Sequence, residues 1–202
     1  MIGVYVVVDP DVCRGRSPVD VARAALRGGA SRIQLRAKRA CDRDRLAWAE
    51  ALARLCREHE RPFVVNDRPD LALLVGADEV HVGQDDLPVE AVRRIVPGVS
   101  VARSTHDQDQ LRRAVAEGAD RVAFGPVFAT QSKERPDPVV GVAGLEAALA
   151  IAGRPLIAIG GLDVPRARSL RALPLAEIAV ISAVCAADDP EAATARLQEA
   201  LC

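Results

Sequence analysis

Eight short apolar runs recur along this chain at intervals that leave room for a helix between each pair. They are Val4 to Val8, Ile33 to Leu35, Phe63 to Val65, Val80 to Val82, Val99 to Ala102, Val122 to Phe124, Leu156 to Ile159, and Ile178 to Ile181. The intervening stretches carry helical spacing, as where Leu46, Ala49, Leu52, Ala53 and Cys56 share one face and Arg45, Glu50, Arg54, Arg57 and Glu58 another. Continuous apolar strands alternating with helices predict a parallel sheet covered on both faces. Eight such units predict a closed (β/α)8 TIM barrel, of the α/β class, occupying residues 1–202 as a single catalytic domain.

An internal repeat supports the count. Gly29-Ala30-Ser31 precedes the second run, Gly76-Ala77-Asp78 the fourth and Gly118-Ala119-Asp120 the sixth, with Leu175-Ala176-Glu177 in the equivalent place before the eighth. Glycine there suits the left-handed residue that ends a helix, and recurrence on even-numbered strands suits a barrel built from two-strand units. A doubly wound open sheet is the weaker reading. The first run ends at Asp9 and continues Asp11-Val12-Cys13-Arg14-Gly15-Arg16, without the glycine-rich turn of a dinucleotide site.

Composition narrows the function. With 27 Lys plus Arg against 28 Asp plus Glu and 2% aromatic residues, the chain has neither the basic field nor the stacking platforms of a nucleic-acid binder. No apolar run is long enough to cross a bilayer and no signal-like segment opens the chain, so a cytoplasmic location without membrane contact is expected. Cys13, Cys41, Cys56, Cys185 and Cys202 lack metal-ligand spacing and read as free thiols. Whether like chains assemble is left open.

Barrel enzymes place their chemistry after the C-terminal ends of the strands, and polar residues do cluster there. Gln34, Arg36 and Lys38 alternate, so a strand continuing that far aims all three into the mouth, the two cations suiting a phosphate. Asn66-Asp67 and Gln84-Asp85-Asp86 end the third and fourth runs. Asp67 and Asp86 suit Mg²⁺, which binds one or two carboxylates while bridging to substrate phosphates, although N-capping accounts for any single strand-end Asp. Ser104 and His106 follow the fifth run, His106 reading equally as a proton-transfer group or a residue at the start of the next helix. Residues Phe128 to Gly141, with Thr130, Ser132 and Lys133, have no period and read as a lid over the mouth. Gly160-Gly161 closes the seventh run, where barrels hold phosphate on backbone amides and a ligand approaches closely, and Ser182 closes the eighth. His59 and His81 read as an ordinary helix-surface and strand residue.

Taken together, Gln34-Leu35-Arg36-Ala37-Lys38, Asn66-Asp67-Arg68, Val82 to Asp86, Ser104-Thr105-His106, Gly125 to Lys133, Ala158 to Gly161 and Ile181-Ser182 resemble the thiamine phosphate synthase family. The resemblance implies an enzyme that joins hydroxymethylpyrimidine pyrophosphate to a thiazole phosphate, releasing pyrophosphate. It implies that Gln34, Leu35, Arg36, Ala37, Lys38, Asn66 and Ser104 hold the pyrimidine pyrophosphate and that Asp67 and Asp86 hold Mg²⁺. Thr130, Gln131, Ser132, Gly160, Gly161, Ile181 and Ser182 would then face the thiazole phosphate, with Lys133 reaching the pyrophosphate. Thiazole tautomerases share the fold and use a histidine at the position of His106, but generally lack the two acids. Arg103-Ser104-Thr105-His106 is similar to their version, and strand alternation puts Arg103 on the face opposite Ser104. A non-catalytic barrel that binds thiamine precursors and regulates a partner is the reading from another class.

Overall fold

The computed structural model describes residues 1–130 and 137–202. Eight parallel strands, β1 (Gly3–Val8), β2 (Arg32–Leu35), β3 (Phe63–Asn66), β4 (Glu79–Val82), β5 (Ser100–Thr105), β6 (Arg121–Phe124), β7 (Leu156–Ile159) and β8 (Glu177–Val180), pair in sequence order, and β8 returns to β1. The sheet is therefore a closed barrel. Around it run α1 (Pro18–Arg27), α2 (Asp42–Glu58), α3 (Pro69–Val75), α4 (Val89–Ile95), α5 (Gln108–Ala116), α6 (Gly141–Ala152), α7 (Val164–Leu170), α8 (Ser182–Cys185) and α9 (Pro190–Leu201). Among the described residues, no helix is long and apolar enough to cross a membrane.

The repeat before the even strands has a mechanical basis. Gly29, Gly76 and Gly118 all adopt positive φ, ending α1, α3 and α5 in the left-handed conformation that a side chain resists. The third residue of each triplet then ties the incoming strand to its predecessor. Ser31, Asp78 and Asp120 donate backbone N–H groups to the carbonyls of Val4, Phe63 and Val101. The Asp78 and Asp120 carboxylates also accept from the amides of Phe63 and Val101, both at 2.8 Å.

Alternation along the strands divides the apolar residues between two cores. A larger one lies between sheet and helices, and a smaller one inside the barrel is built from Tyr5, Val7, Val64, Ala123 and Ile157. Beneath the inner core lies a ring of four charges, Arg32, Glu79, Arg121 and Glu177, each the first residue of an even strand. Arg32 reaches Glu177 at 3.2 Å and Glu79 at 3.4 Å, while Arg121 reaches Glu177 and, at 3.6 Å, Glu79. The Arg32 guanidinium also lies 5.7 Å from the centre of the Tyr5 ring. A layer of four side chains from alternate strands is the packing a barrel of this kind requires. Here it is ionic, with two charges of each sign.

Those four residues explain why even strands begin one residue before the apolar runs: a charged first residue is tolerated because it is paired inside the barrel. The largest departure is β5, which runs to Thr105 where the apolar pattern stops at Ala102. Arg103 breaks the run, but its side chain is on the outer face, where it pairs with Glu117 just beyond α5. Ser104 thus belongs to the strand instead of following it. Conversely, Ile181 lies just past β8 as the residue that precedes α8.

Candidate active site

At the C-terminal end of the barrel opens a cavity of about 1050 Å³, at the upper end of the usual range for small-molecule sites. Gln34, Arg36, Lys38, Asn66, Asp67, Asp86, Ser104, His106, Thr130, Gly160, Gly161, Ile181 and Ser182 all line it. The structure therefore brings together most of the residues singled out in the sequence. Leu35 and Ala37 are the exceptions among the described ones, since alternation turns them outward, where Leu35 is buried in the helix-facing core and Ala37 packs against it. Gln131, Ser132 and Lys133 lie outside the described residues, as does the middle of the expected lid.

The basic strand end is held from below and from the side. β2 ends at Leu35, yet the Arg36 amide donates to the Val8 carbonyl at 2.9 Å and continues the ladder by one bond. Arg36 then pairs with Asp9, a buried carboxylate at the end of β1. Gln34 donates to the Tyr5 hydroxyl at 2.6 Å. Burial pushes the Tyr5 phenol well above its ordinary range, so it remains a neutral hydrogen-bonding group.

Neither Asp67 nor Asp86 caps a helix. Asp67 has φ of 62°, a left-handed position uncommon outside glycine, and its amide donates to the His81 carbonyl at 2.9 Å. This bend carries its carboxylate to Lys38, 3.0 Å away. Asp86 accepts from the Gly83 amide at 2.7 Å. Burial, and then a hydrogen-bonding contact with Asp67, push the Asp86 carboxyl above the usual carboxylate range. A second acid beside Asp86 disfavours its charged form, and a cation between the two would relieve that repulsion. Among the described residues, no group of three or more acidic, histidine or cysteine side chains is placed to hold a metal ion. A site completed by waters and phosphate oxygens needs only two carboxylates, which fits Mg²⁺ better than a metal caged by protein.

Ser104 sits at the centre of a polar floor. Its hydroxyl is 2.8 Å from His81 Nε2, and its carbonyl accepts from Gln84 at 2.6 Å. His81, read from sequence as an ordinary strand residue, lines the cavity. The signal was present in the period of two from Glu79 through His81 to Gly83, which puts His81 on the inner face. His106 follows β5 with its ring in the mouth, Nδ1 donating to the Gly125 carbonyl and Nε2 lying 3.3 Å from Asp137. The cap of α5 is Asp107, which accepts from the Gln110 amide.

Gly160 and Gly161 have φ of 98° and 64°. A Cβ at Gly160 would strike Pro126, and one at Gly161 the carbonyls of Ala129 and Phe128. The space that glycine leaves is thus filled on one side by the segment after β6, while both residues also line the cavity. Val127 and Phe128 donate their amides to the carbonyls of Ile159 and Gly160 at 2.8 and 3.1 Å. The cavity meets the other side of the same peptides.

A family profile described as thiamine monophosphate synthase matches residues 4–184. The chain belongs to the thiamine monophosphate synthase family. A thiamine-phosphate synthase of Chlorobium phaeovibrioides is 45% identical over 181 residues, covering 89% of this chain and 87% of that protein. One from Anaeromyxobacter dehalogenans is 46% identical over 201 residues, covering 98% and 87%. Among solved structures, thiamine phosphate pyrophosphorylase from Pyrococcus furiosus superposes with a TM-score of 0.91 at 34% identity, covering 99% of this chain and 95% of that one. A 3-hexulose-6-phosphate synthase, at 18% identity and a TM-score of 0.69, shares the barrel alone. Family membership makes the chain a transferase of thiamine biosynthesis with thiamine-phosphate synthase activity.

Proposed function

We propose that the barrel mouth couples hydroxymethylpyrimidine pyrophosphate to a thiazole phosphate, with the pyrophosphate leaving group seated over β2 and β3 and the thiazole phosphate over β7 and β8. The observation that carries this reading is the meeting of Asp67 and Asp86 beside Lys38 and Arg36 in one cavity. Two acids in contact favour a divalent cation, and two cations beside them favour the anion such a cation would neutralise.

Asp67 and Asp86 would hold Mg²⁺, which when bound supplies electrostatic stabilisation to the departing pyrophosphate. Arg36 and Lys38 do the same from the side of β2, and Lys133 is assigned to this task by sequence. Gln34, Asn66 and Ser104 fix the pyrimidine, Ser104 being held by His81 and Gln84. Carbon–oxygen cleavage at the pyrimidine methylene runs ahead of attack, because an electron-rich ring tolerates positive charge at that carbon. The protein therefore needs no strong base and no covalent nucleophile. Its work is to hold the thiazole nitrogen within reach of the pyrimidine methylene, a task of positioning. Thr130, Ser132, Gly160, Gly161, Ile181 and Ser182 are assigned to the thiazole phosphate. The contact between the two acids favours this synthase chemistry over a tautomerase, which needs a proton-transfer histidine and no metal.

Incubation of the purified protein with both substrates tests the proposal. Thiamine phosphate and pyrophosphate should appear only when Mg²⁺ is present. Isomerisation of a carboxythiazole phosphate without metal, or binding of both substrates without turnover, would overturn it.

A further inference from the structure

The carbonyls of Ile159, Gly160 and Gly161 are each tied down by a donor from a residue that does not line the cavity. Val127 N–H takes the first and Phe128 N–H the second. The third accepts from the Arg166 guanidinium at 2.5 Å. In a trans peptide the carbonyl and the following N–H point in opposite directions. Fixing three successive carbonyls outward therefore turns the N–H groups of Gly160, Gly161 and Leu162 toward the cavity that all three residues line. Successive amides pointing into one hollow form an anion-binding nest. Among the described residues, none of the three has a protein acceptor.

Two of the three peptides are held by backbone, and the third depends on a side chain. Arg166, on α7, reaches its position through two further contacts: its guanidinium stacks 5.1 Å from the centre of the Phe128 ring, and its Nε lies 3.8 Å from Asp163. It thus spans the loop after β6 and the loop after β7 from outside the cavity, and it does not line the cavity itself.

We infer that Arg166 is a positioning residue for the thiazole phosphate: by holding the Gly161 carbonyl it aims the Leu162 amide at the phosphate and keeps the three-amide nest formed. This rests on the assignment of that phosphate to the β7–β8 end of the mouth. An Arg in this place acts through the planar guanidinium, which stacks on Phe128 while donating to the carbonyl, and a Lys reproduces the charge without the stacked plane.

Steady-state kinetics on Arg166→Ala, Arg166→Lys and Ser182→Ala, with each substrate varied against saturating amounts of the other, test the inference. Arg166→Ala should raise KM for the thiazole phosphate about tenfold, the scale of one hydrogen bond to a charged group, while KM for the pyrimidine pyrophosphate changes less than about twofold. Arg166→Lys should fall between wild type and Arg166→Ala. If Ser182→Ala raises KM for the thiazole phosphate and Arg166→Ala does not, the inference fails and the site assignment stands. If neither variant moves it, the site assignment fails and the inference with it. Full restoration by Arg166→Lys would reduce Arg166 to a remote positive charge and overturn the bracing role. Should Arg166→Ala not fold, the shift in Arg166→Lys alone decides, with a wild-type KM refuting the brace.

Discussion

Glu177→Gln is the substitution that best tests how the closed end of the barrel is held. Glu177 is 6% exposed, and its carboxylate is shared by the Arg32 and Arg121 guanidinium groups and by the Ser31 hydroxyl, which donates to it at 2.8 Å. In the native ring two positive charges face two negative ones. The amide leaves two against one, so a net positive charge stays where water is scarce. Removing one partner of a buried ion pair costs about 3–5 kcal/mol, chiefly because the remaining charge is uncompensated. For a chain of this size each kcal/mol lowers the melting temperature by roughly 2–4 °C, so a fall of about 6–20 °C is expected. Glu191→Gln is the reference, since its pair with Arg27 is about half exposed on both sides and should contribute less than about 1 kcal/mol. The double substitution Arg121→Met with Glu177→Leu leaves Arg32 facing Glu79, one charge of each sign, and should destabilise less than Glu177→Gln alone. Thermal and urea unfolding followed by circular dichroism measure all three. A Glu177→Gln melting temperature no lower than that of Glu191→Gln would refute the argument.

The acids of the mouth should behave differently from those of the ring. Asp67→Asn and Asp86→Asn should each reduce Mg²⁺-dependent kcat/KM by on the order of 10²-fold or more, with unfolding curves close to wild type; full activity at saturating Mg²⁺ in either variant excludes a metal role for that residue. Glu79 tests the ring through pH. Burial raises its carboxyl pKa against the opposing pull of Arg32 and Arg121, so between the ordinary glutamate range and that raised value the folded state binds more protons than the unfolded one. Stability contributed by Glu79 therefore falls as pH rises through that window. The difference in unfolding free energy between wild type and Glu79→Gln should decrease with rising pH there, and a difference that grows instead contradicts the sign. Gly161→Ala forces a side chain into a left-handed position and against the Ala129 carbonyl, costing about 1–3 kcal/mol from the backbone alone; urea unfolding measures it, and an unchanged midpoint would mean that the two loops can separate freely.

How far the sequence could be read depended on which physical signal each residue leaves. Strand number and order were legible because alternation of apolar runs with helical spacing is a long-range pattern, repeated eight times, that survives an error in any one element. Strand edges were less so. Arg32, Glu79, Arg121 and Glu177 are charged and buried, and a hydrophobic pattern cannot distinguish a charge paired inside a barrel from one in water. Arg103 misled for the mirror-image reason, being a charge within a strand whose partner, Glu117, is brought by a separate helix. In the mouth, Gln34, Arg36 and Lys38 were legible through their period of two, whereas His81 was passed over because a histidine flanked by valines carries no mark of the Ser104 hydroxyl across the next strand. The reason for Gly160 and Gly161 lay in the backbone of residues 126–129, contacts that no local pattern records.

The two ends of the barrel use the same residue types to opposite effect, and the contrast is what separates scaffold from site. At the closed end two arginines and two glutamates alternate around the strands, so every charge faces its opposite and the layer is neutral without a ligand. At the open end Asp9 neutralises Arg36 and Lys38 faces Asp67, which leaves Asp86 against a second acid, its carboxyl held above the usual range. A fold selected for stability alone gains nothing from carboxylates in contact, since replacing one by an amide would relieve the repulsion at no cost in volume. The proposed bound state relieves that repulsion, with positive charge entering between the acids and negative charge arriving beside Lys38 and Arg36. Acids in contact at the mouth and paired charges in the ring beneath it thus separate the proposed site at one end of the same eight strands from the cohesion at the other.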